Sequence, residues 1–216
     1  RSTRSQLIQS EEIDAVSGTL SPIALLRAVD LALEDGAVRG DTALLIIALD
    51  RHSLIRRGLG PRARDLMLRA VAQRLRVLNG PSCVLGRIAD DEFAILVRDV
   101  EGLGEAEARA RYLVEGTQRP VDVSGRTVAV RVRAGVVLLA PHHDSSDEVL
   151  RDGHAALDAA MSTMGTPVGT YDETMVQRAR RDLELDDQLA QAIEKQELVA
   201  FYQPIVSLAD GRLRGF

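Results

Sequence analysis

The chain has 216 residues, 45% of them hydrophobic and 27% charged, which suits one large or two small domains with a real core and excludes a disordered or fibrous chain. A net charge of −5, from 27 basic and 32 acidic side chains, argues against nucleic acid or an anionic membrane surface as partner. With Cys83 as the single cysteine an intrachain disulfide is excluded and a cysteine-based zinc centre disfavoured. No run is long enough to cross a bilayer and no secretory signal pattern opens the chain, so a cytoplasmic location is expected, in a parent protein that could be membrane-anchored upstream.

Arg1–Ile13 is polar and reads as the end of a linker or signalling helix; the chain opens on Arg1 without a methionine and stops at Phe216 in mid-pattern, as in a segment of a longer polypeptide. Ser21 and Pro22 form an N-cap and first helical position, and Ile23, Leu26 and Leu31 supply the apolar face of a helix ending near Gly36. Ala43–Leu49, apolar throughout, predicts a buried central strand closed by Asp50. A helix follows from Pro61 to about Leu78, with Leu66, Leu68, Val71, Leu75 and Leu78 on its buried face, and Asn79-Gly-Pro81 stops it. Glu105–Glu115 carries alternating charges that predict an exposed outer helix. Val121–Val123 and Thr127–Leu139 bracket Ser124-Gly125 as a hairpin, the second strand having one wet face. The paired His142 and His143 are expected on a surface loop, because adjacent side chains point apart. Ser146 is expected to cap a helix through about Met164, with Asp147 and Glu148 in its first turn, and Val168–Tyr171 to form a short strand. Asp172–Gln196 has helical period and marks the domain boundary; Leu198–Leu208 reads as a strand and Asp210-Gly211 as a turn.

The chemistry concentrates between Cys83 and Val97. Two short apolar runs, Cys83–Leu85 and Phe93–Val97, flank Arg87-Ile-Ala-Asp-Asp-Glu92 and predict a hairpin with Asp90, Asp91 and Glu92 at its tip. Three acids at a reversal suit either a metal or phosphoryl-transfer site or a solvated turn. The order of elements predicts an α/β (α+β) sandwich with a mixed sheet.

The hairpin sequence R-I-A-D-D-E-F resembles the signature of the GGDEF (diguanylate cyclase) family, with Ala89 and Asp90 at the positions of its two glycines. The segment D-A-V-S-G-T-L from Asp14 is similar to the family's opening D-x-L-T-G-L turn, so the resemblance covers Asp14 to about Tyr171. It implies a nucleotidyl-cyclase-like palm, a mostly antiparallel central sheet flanked by helices, with magnesium and GTP at the hairpin. Against that pattern Ala48 replaces the first metal-binding aspartate, while Asp50 matches the second. His52 and Ser53 replace the phenylalanine and lysine, and Arg56 the asparagine that meets guanine. Gly60 and the base-reading Asp65 are kept, with Pro61 and Arg64 in place of the histidine and glycine. Asp91, Glu92 and Phe93 match the metal-binding acid, the next acid and the closing aromatic. In the helix, Ala156, Leu157 and Ala160 fit, but Met161 replaces the lysine that meets the triphosphate. The inhibitory R-x-x-D motif would fall on Gly80–Cys83 and is absent. A two-metal mechanism needs carboxylates on both sides of the ions, so Ala48 removes one wall, and Asp90 sets a negative charge where a phosphate chain would lie. The expectation is a vestigial nucleotide or metal site of Asp65, Asp91 and Glu92, with no catalytic residue and no cofactor in this chain.

About Leu183–Phe216, including Tyr202-Gln203-Pro204-Ile-Val206 and Asp210-Gly211, resembles the opening, first helix and strand, of an EAL (cyclic di-GMP phosphodiesterase) domain, a TIM-barrel-like fold that in intact form uses magnesium. The division implied is residues 1–13 linker, 14–171 degenerate GGDEF domain, 172–197 connecting helix and 198–216 start of the EAL domain. Together the resemblances imply an inactive GGDEF module that controls an EAL phosphodiesterase by signal relay or dimerisation, with that EAL domain and an upstream sensor as partners. A GTP-binding allosteric module is the alternative, although GTP is not expected to bind, and a residual diguanylate cyclase is the weakest reading.

Overall fold

A computed structural model describes residues 12–35, 40–50, 57–80, 84–123, 125–163 and 165–172, and beyond these 185, 188–189, 191–193, 195, 197, 199 and 201–215. The chain divides into two units, Arg1–Val176 and Gln177–Phe216. In the first, α1 (Pro22–Glu34) is followed by β1 (Ala43–Leu49), α2 (Pro61–Asn79), the hairpin β2 (Val84–Arg87) and β3 (Glu92–Val97), and α3 (Leu103–Thr117). Next come β4 (Val121–Val123), β5 (Arg126–Val128), β6 (Val132–Leu138), α4 (Ser146–Ser162) and β7 (Val168–Thr170).

The five-stranded sheet has the order β2-β3-β1-β6-β7; its first four strands are antiparallel and β7 joins β6 in parallel. All seven residues of β1 are buried, as its unbroken apolar run predicts for a strand covered on both faces. Because strand side chains alternate, β1 feeds two cores. Ala43, Leu45, Ile47 and Leu49 join Met67, Leu68, Val71 and Leu75 of α2 and Ala110, Leu113 and Val114 of α3. Leu44, Ile46 and Ala48 join Leu25 and Val29 of α1 and Val149 and Leu157 of α4. The palm-like, mostly antiparallel sheet flanked by helices is thus as expected.

Several local expectations are corrected by packing. In α1 the buried residues are Leu25, Val29 and Ala32, whereas Ile23 and Leu31 are exposed. In α2, Ala63, Met67 and Ala72 are buried and Leu66 is exposed. Both helices offer apolar residues over more than one stripe, and only the sheet selects which stripe is covered. The charged α3 is no outer decoration: its alanines Ala106 and Ala110 let it lie close on the first core. The strand expected over 127–139 is two strands, since β5 pairs only with β4 and β6 belongs to the main sheet. Helix α4 starts one residue earlier than expected, with Ser145 as N-cap; the Ser146 N–H instead donates to Asp30 Oδ1 of α1 at 2.8 Å.

In the second unit the described strands are β8 (Ile205–Val206) and β9 (Leu213–Gly215), antiparallel around the expected Asp210-Gly211 turn. The strand expected from Leu198 is therefore much shorter among the described residues, since a two-stranded ribbon gives it a partner only at Ile205–Val206. Cys83, His52, Ser53, Arg56 and most of the helix expected over Asp172–Gln196 lie outside the described residues. Among the described residues no helix is long and apolar enough to cross a membrane.

Candidate functional site

The hairpin is held at its base by the sheet and at its tip by two neighbours. In β2–β3, Arg87 pairs with Phe93, and Ile88 N–H donates to Glu92 O at 3.0 Å. The tip is tied to the end of β1 by Leu49 N–H, which donates to Asp91 O at 2.9 Å. On its outer side the Asp14–Leu20 turn docks on β2: Leu20 N–H donates to Leu85 O and Arg87 N–H to Leu20 O, each at 3.0 Å. That docking puts Asp14 against the Arg87 guanidinium, at 3.1 Å from Nη1 through Oδ2. Burial would raise the Asp14 carboxyl, but hydrogen bonds from Ser17 N–H and Oγ, both 2.7 Å, and the Arg87 charge hold it below its ordinary value.

Asp99 is the one non-glycine with positive φ among the described residues, so Ala89 and Asp90 occupy the tip without left-handed backbone. What the tip loses with the glycines is therefore room rather than conformational freedom. Asp90 is not an uncompensated charge, as its placement beside phosphates suggests. Its carboxylate lies 3.6 Å from Arg87 Nη2 and 3.5 Å from Arg64 Nη1, while Arg87 Nη2 also donates to Asp90 O at 3.0 Å. Arg64, in the first turn of α2, simultaneously holds Asp65 Oδ1 through Nε at 3.2 Å and Nη2 at 3.1 Å. Asp14, Arg87, Asp90, Arg64 and Asp65 thus form one chain of ion pairs from the opening turn, across the hairpin tip, to α2. The cleft beside it, lined by Asp14, Pro22, Arg87, Ile88, Ala89 and Asp90, measures ≈ 190 Å³, below the ~300 Å³ at which small-molecule pockets begin.

Glu92 faces another way. It pairs across the sheet with Ala48, which pairs on its far side with Arg133, so the three side chains share the face covered by α1 and α4. Ala48 is buried, and no carboxylate lies at this position. Arg133 turns to the carbonyls of Ala160, Thr163 and Thr166 at the end of α4, neutralising the negative end of the helix. Glu92 Oε2 meets His154 Nε2 of α4 at 2.9 Å, and this bond raises the His154 pKa against the opposing effect of burial. Met161 lies two turns beyond His154 on the same stripe of α4, exposed and uncharged.

The expected residues are therefore brought to one end of the sheet but not to one focus. Asp65 and Asp90 join the arginine chain, Glu92 joins His154, and Asp91 is fastened through its backbone carbonyl. Gln203 and Pro204 are exposed in the segment just before β8 in the second unit.

One further cluster is invisible in the hairpin's sequence. Asp152 of α4 is fully buried; His143 Nε2 lies 3.1 Å from its Oδ2, and His142 Nε2 lies 3.8 Å away. His143 is thus a core residue, not the loop surface expected for the pair. The three are the described residues spaced to hold a metal ion. The hydrogen bonds oppose it: Ala140 N–H donates to His143 Nδ1 at 3.0 Å, so the neutral ring carries its proton on Nε2 and has no lone pair there for a metal. A usable signal was present in the sequence, for Asp152 stands on the apolar stripe of α4 with Val149 and Ala156.

The family model described as "Diguanylate cyclase, GGDEF domain" matches residues 12–166. Cyclic di-GMP phosphodiesterase NbdA of Pseudomonas aeruginosa is 28% identical over 208 residues, covering 96% of this chain and 26% of the relative. Bifunctional diguanylate cyclase/cyclic di-GMP phosphodiesterase MucR of the same organism is 28% identical over 181 residues, covering 83% and 26%. The chain thus spans about a quarter of the length of these relatives. Among solved structures, the GGDEF domain of PA1120 (TpbB or YfiN) from Pseudomonas aeruginosa superposes with a TM-score of 0.71 at 24% identity, covering 78% of this chain and 99% of that one. The coiled coil and GGDEF domain of DgcB from Caulobacter crescentus, in complex with c-di-GMP, gives 0.68 at 20% identity, covering 79% and 91%.

Proposed function

The chain belongs to the GGDEF (diguanylate cyclase) family, and we propose that its first unit is a non-catalytic regulatory module of a bacterial cyclic di-GMP signalling protein. Its role is to control a C-terminal EAL phosphodiesterase, by relay of a signal from an upstream sensor or by dimerisation. The observation that carries this reading is Ala48: at the end of β1, between Glu92 and Arg133, a buried methyl group stands where a metal-binding carboxylate is required. Without it Asp91 offers one wall of a metal cage, and phosphodiester formation loses the ion that would carry the developing charge. The ion-pair chain supports the same conclusion. Arg64 and Arg87 are engaged by Asp14, Asp65 and Asp90, so they are not free to meet a triphosphate, and Met161 supplies no cation.

The GTP-sensing alternative rests on Asp65, but Arg64 holds the carboxylate that would read the base. The EAL reading is supported by the second unit, where Phe201 is 94% exposed and Leu208 103%, apolar side chains suited to the interior of a larger fold. Relatives named as cyclic di-GMP phosphodiesterases agree with that assignment.

Incubation of the purified chain with GTP and magnesium or manganese is expected to yield no cyclic di-GMP. Product that disappears in Asp91→Ala would overturn the non-catalytic reading. Calorimetry with magnesium is expected to show no GTP binding at millimolar concentration, because several charge-assisted hydrogen bonds of about 1.5–3 kcal/mol each are missing. Saturable binding lost in Asp65→Ala would favour the nucleotide sensor instead.

A further inference from the structure

The group around Asp152 takes no part in the nucleotide site. An ionised carboxylate that is fully buried needs a full set of donors. Asp152 receives Nε2–H of His143 at 3.1 Å, Nε–H of Arg151 at 3.0 Å and a hydrogen bond from the Tyr171 side chain. Burial would raise its pKa, and these three bonds together lower it instead. His143 accepts Ala140 N–H on Nδ1, so one neutral tautomer satisfies both of its partners. A second proton on the ring would set an Nδ1–H against the Ala140 N–H. At the other end of the network the Tyr171 N–H donates to Val136 O at 2.8 Å, immediately after β7, where the chain leaves the sheet. Loop 140–144, α4 and the end of β7 are therefore fastened to a single carboxylate.

The geometry points to a proton-sensitive latch in which protonation of His143 at Nδ1 sets N–H against N–H, breaks its hold on Ala140 and lets loop 140–144 open against the pull of Asp152 on the charged ring. Water then reaches Asp152 and competes for the Tyr171 hydroxyl, loosening the point where the chain leaves the sheet. The groups facing His143 are His142, with ring centroids 4.1 Å apart, and Asp144 from its own loop, and Glu148, Arg151 and Asp152 from α4. Asp30 and Glu34 of α1 line the adjoining cavity of ≈ 430 Å³ with it, and Tyr171 completes the shell through Asp152. Burial lowers the His143 pKa, the Asp152 bond opposes it, and His142 adds to the lowering. The ring is neutral in the closed form, whereas in the opened form it protonates near the ordinary ~6.5. Opening thus takes up a proton, so the latch is tight above about pH 6.5 and weakens as pH falls, by up to about tenfold at pH 5.5.

The test is nitrogen-resolved histidine NMR and amide hydrogen exchange on the 216-residue chain. The expected results at pH 7.5 are the Nε2–H tautomer for His143 and a protected Tyr171 amide. After correction for intrinsic rates, that amide exchanges up to about tenfold faster at pH 5.5, and the change vanishes in His143→Gln, which keeps a donor and an acceptor but cannot titrate. An Nδ1–H tautomer, equal Tyr171 protection at both pH values, or the same pH response in His143→Gln overturns the latch. Zinc binding that removes the Nε2 proton at pH 7.5 also overturns it, in favour of a metal site. If His143→Gln does not fold, the tautomer and the pH response of the unaltered chain decide.

Discussion

Glu92 and His154 form a contact whose effect depends on pH. The bond raises the folded-state pKa of His154, so its stabilisation is fully present below the ordinary value of ~6.5 and is lost as pH rises through the raised one. Because both side chains are part-exposed, the contribution should be about 0.2–1 kcal/mol. His154→Gln is therefore expected to lower the urea-unfolding free energy at pH 6 by that amount and to change it much less at pH 9; an equal loss at both pH values would show that the pair contributes through packing alone. Asp152 belongs to a different class of residue. Removing it leaves the His143 Nε2–H buried without an acceptor, whereas Arg151 can turn to water, so Asp152→Ala should cost about 1–3 kcal/mol at pH 7.5. A loss indistinguishable from zero in the same titration would mean that His143 finds another partner.

At the scale of elements, the close seat of α4 on the sheet decides where His154, Asp152 and Met161 lie. Two strand glycines make that seat possible. A Cβ at Gly135 would strike the backbone of α4 at Gly153 and Leu157, and one at Gly169 would strike it at Ala156. Backbone cannot swing aside as a side chain can, so Gly169→Ala should destabilise by at least the roughly 1–3 kcal/mol of an overpacked core. Gly153→Ala is the internal comparison, because its Cβ would come 2.8 Å from Ile46 Cδ1, the far end of a flexible side chain. Thermal unfolding of both variants checks the order: a Gly169→Ala protein as stable as Gly153→Ala would mean that α4 can shift on the sheet, carrying His154 away from Glu92.

At the scale of the whole chain, the described members of both cores lie between Val16 and Tyr171, inside the first unit. Deleting residues 177–216 should therefore leave one cooperative unfolding transition, with a free energy within about 1 kcal/mol of the full chain. Circular dichroism in urea checks this, and a broad or strongly weakened transition would show that the first unit depends on the second.

Local chemistry by itself determined the central strand, the signature hairpin and the cap of α1. Seven successive apolar residues, two branched runs around a polar turn and a Ser-Pro pair each have one stable local solution. The absence of a carboxylate at Ala48 was legible too, because it needs no coordinates to be noticed. Tertiary structure alone decided which helix stripe is buried, since α1 and α2 carry apolar residues on more than one side and the sheet covers only one. It also decided the partners of charge. Asp90 meets Arg64, 26 positions before it, and Glu92 meets His154, 62 positions after it. Asp152 lies buried with His143 because α4 presses its inner stripe on β6 and β7. Ion pairs and hydrogen bonds act over a few ångströms between residues that folding brings together, and no local pattern records that meeting.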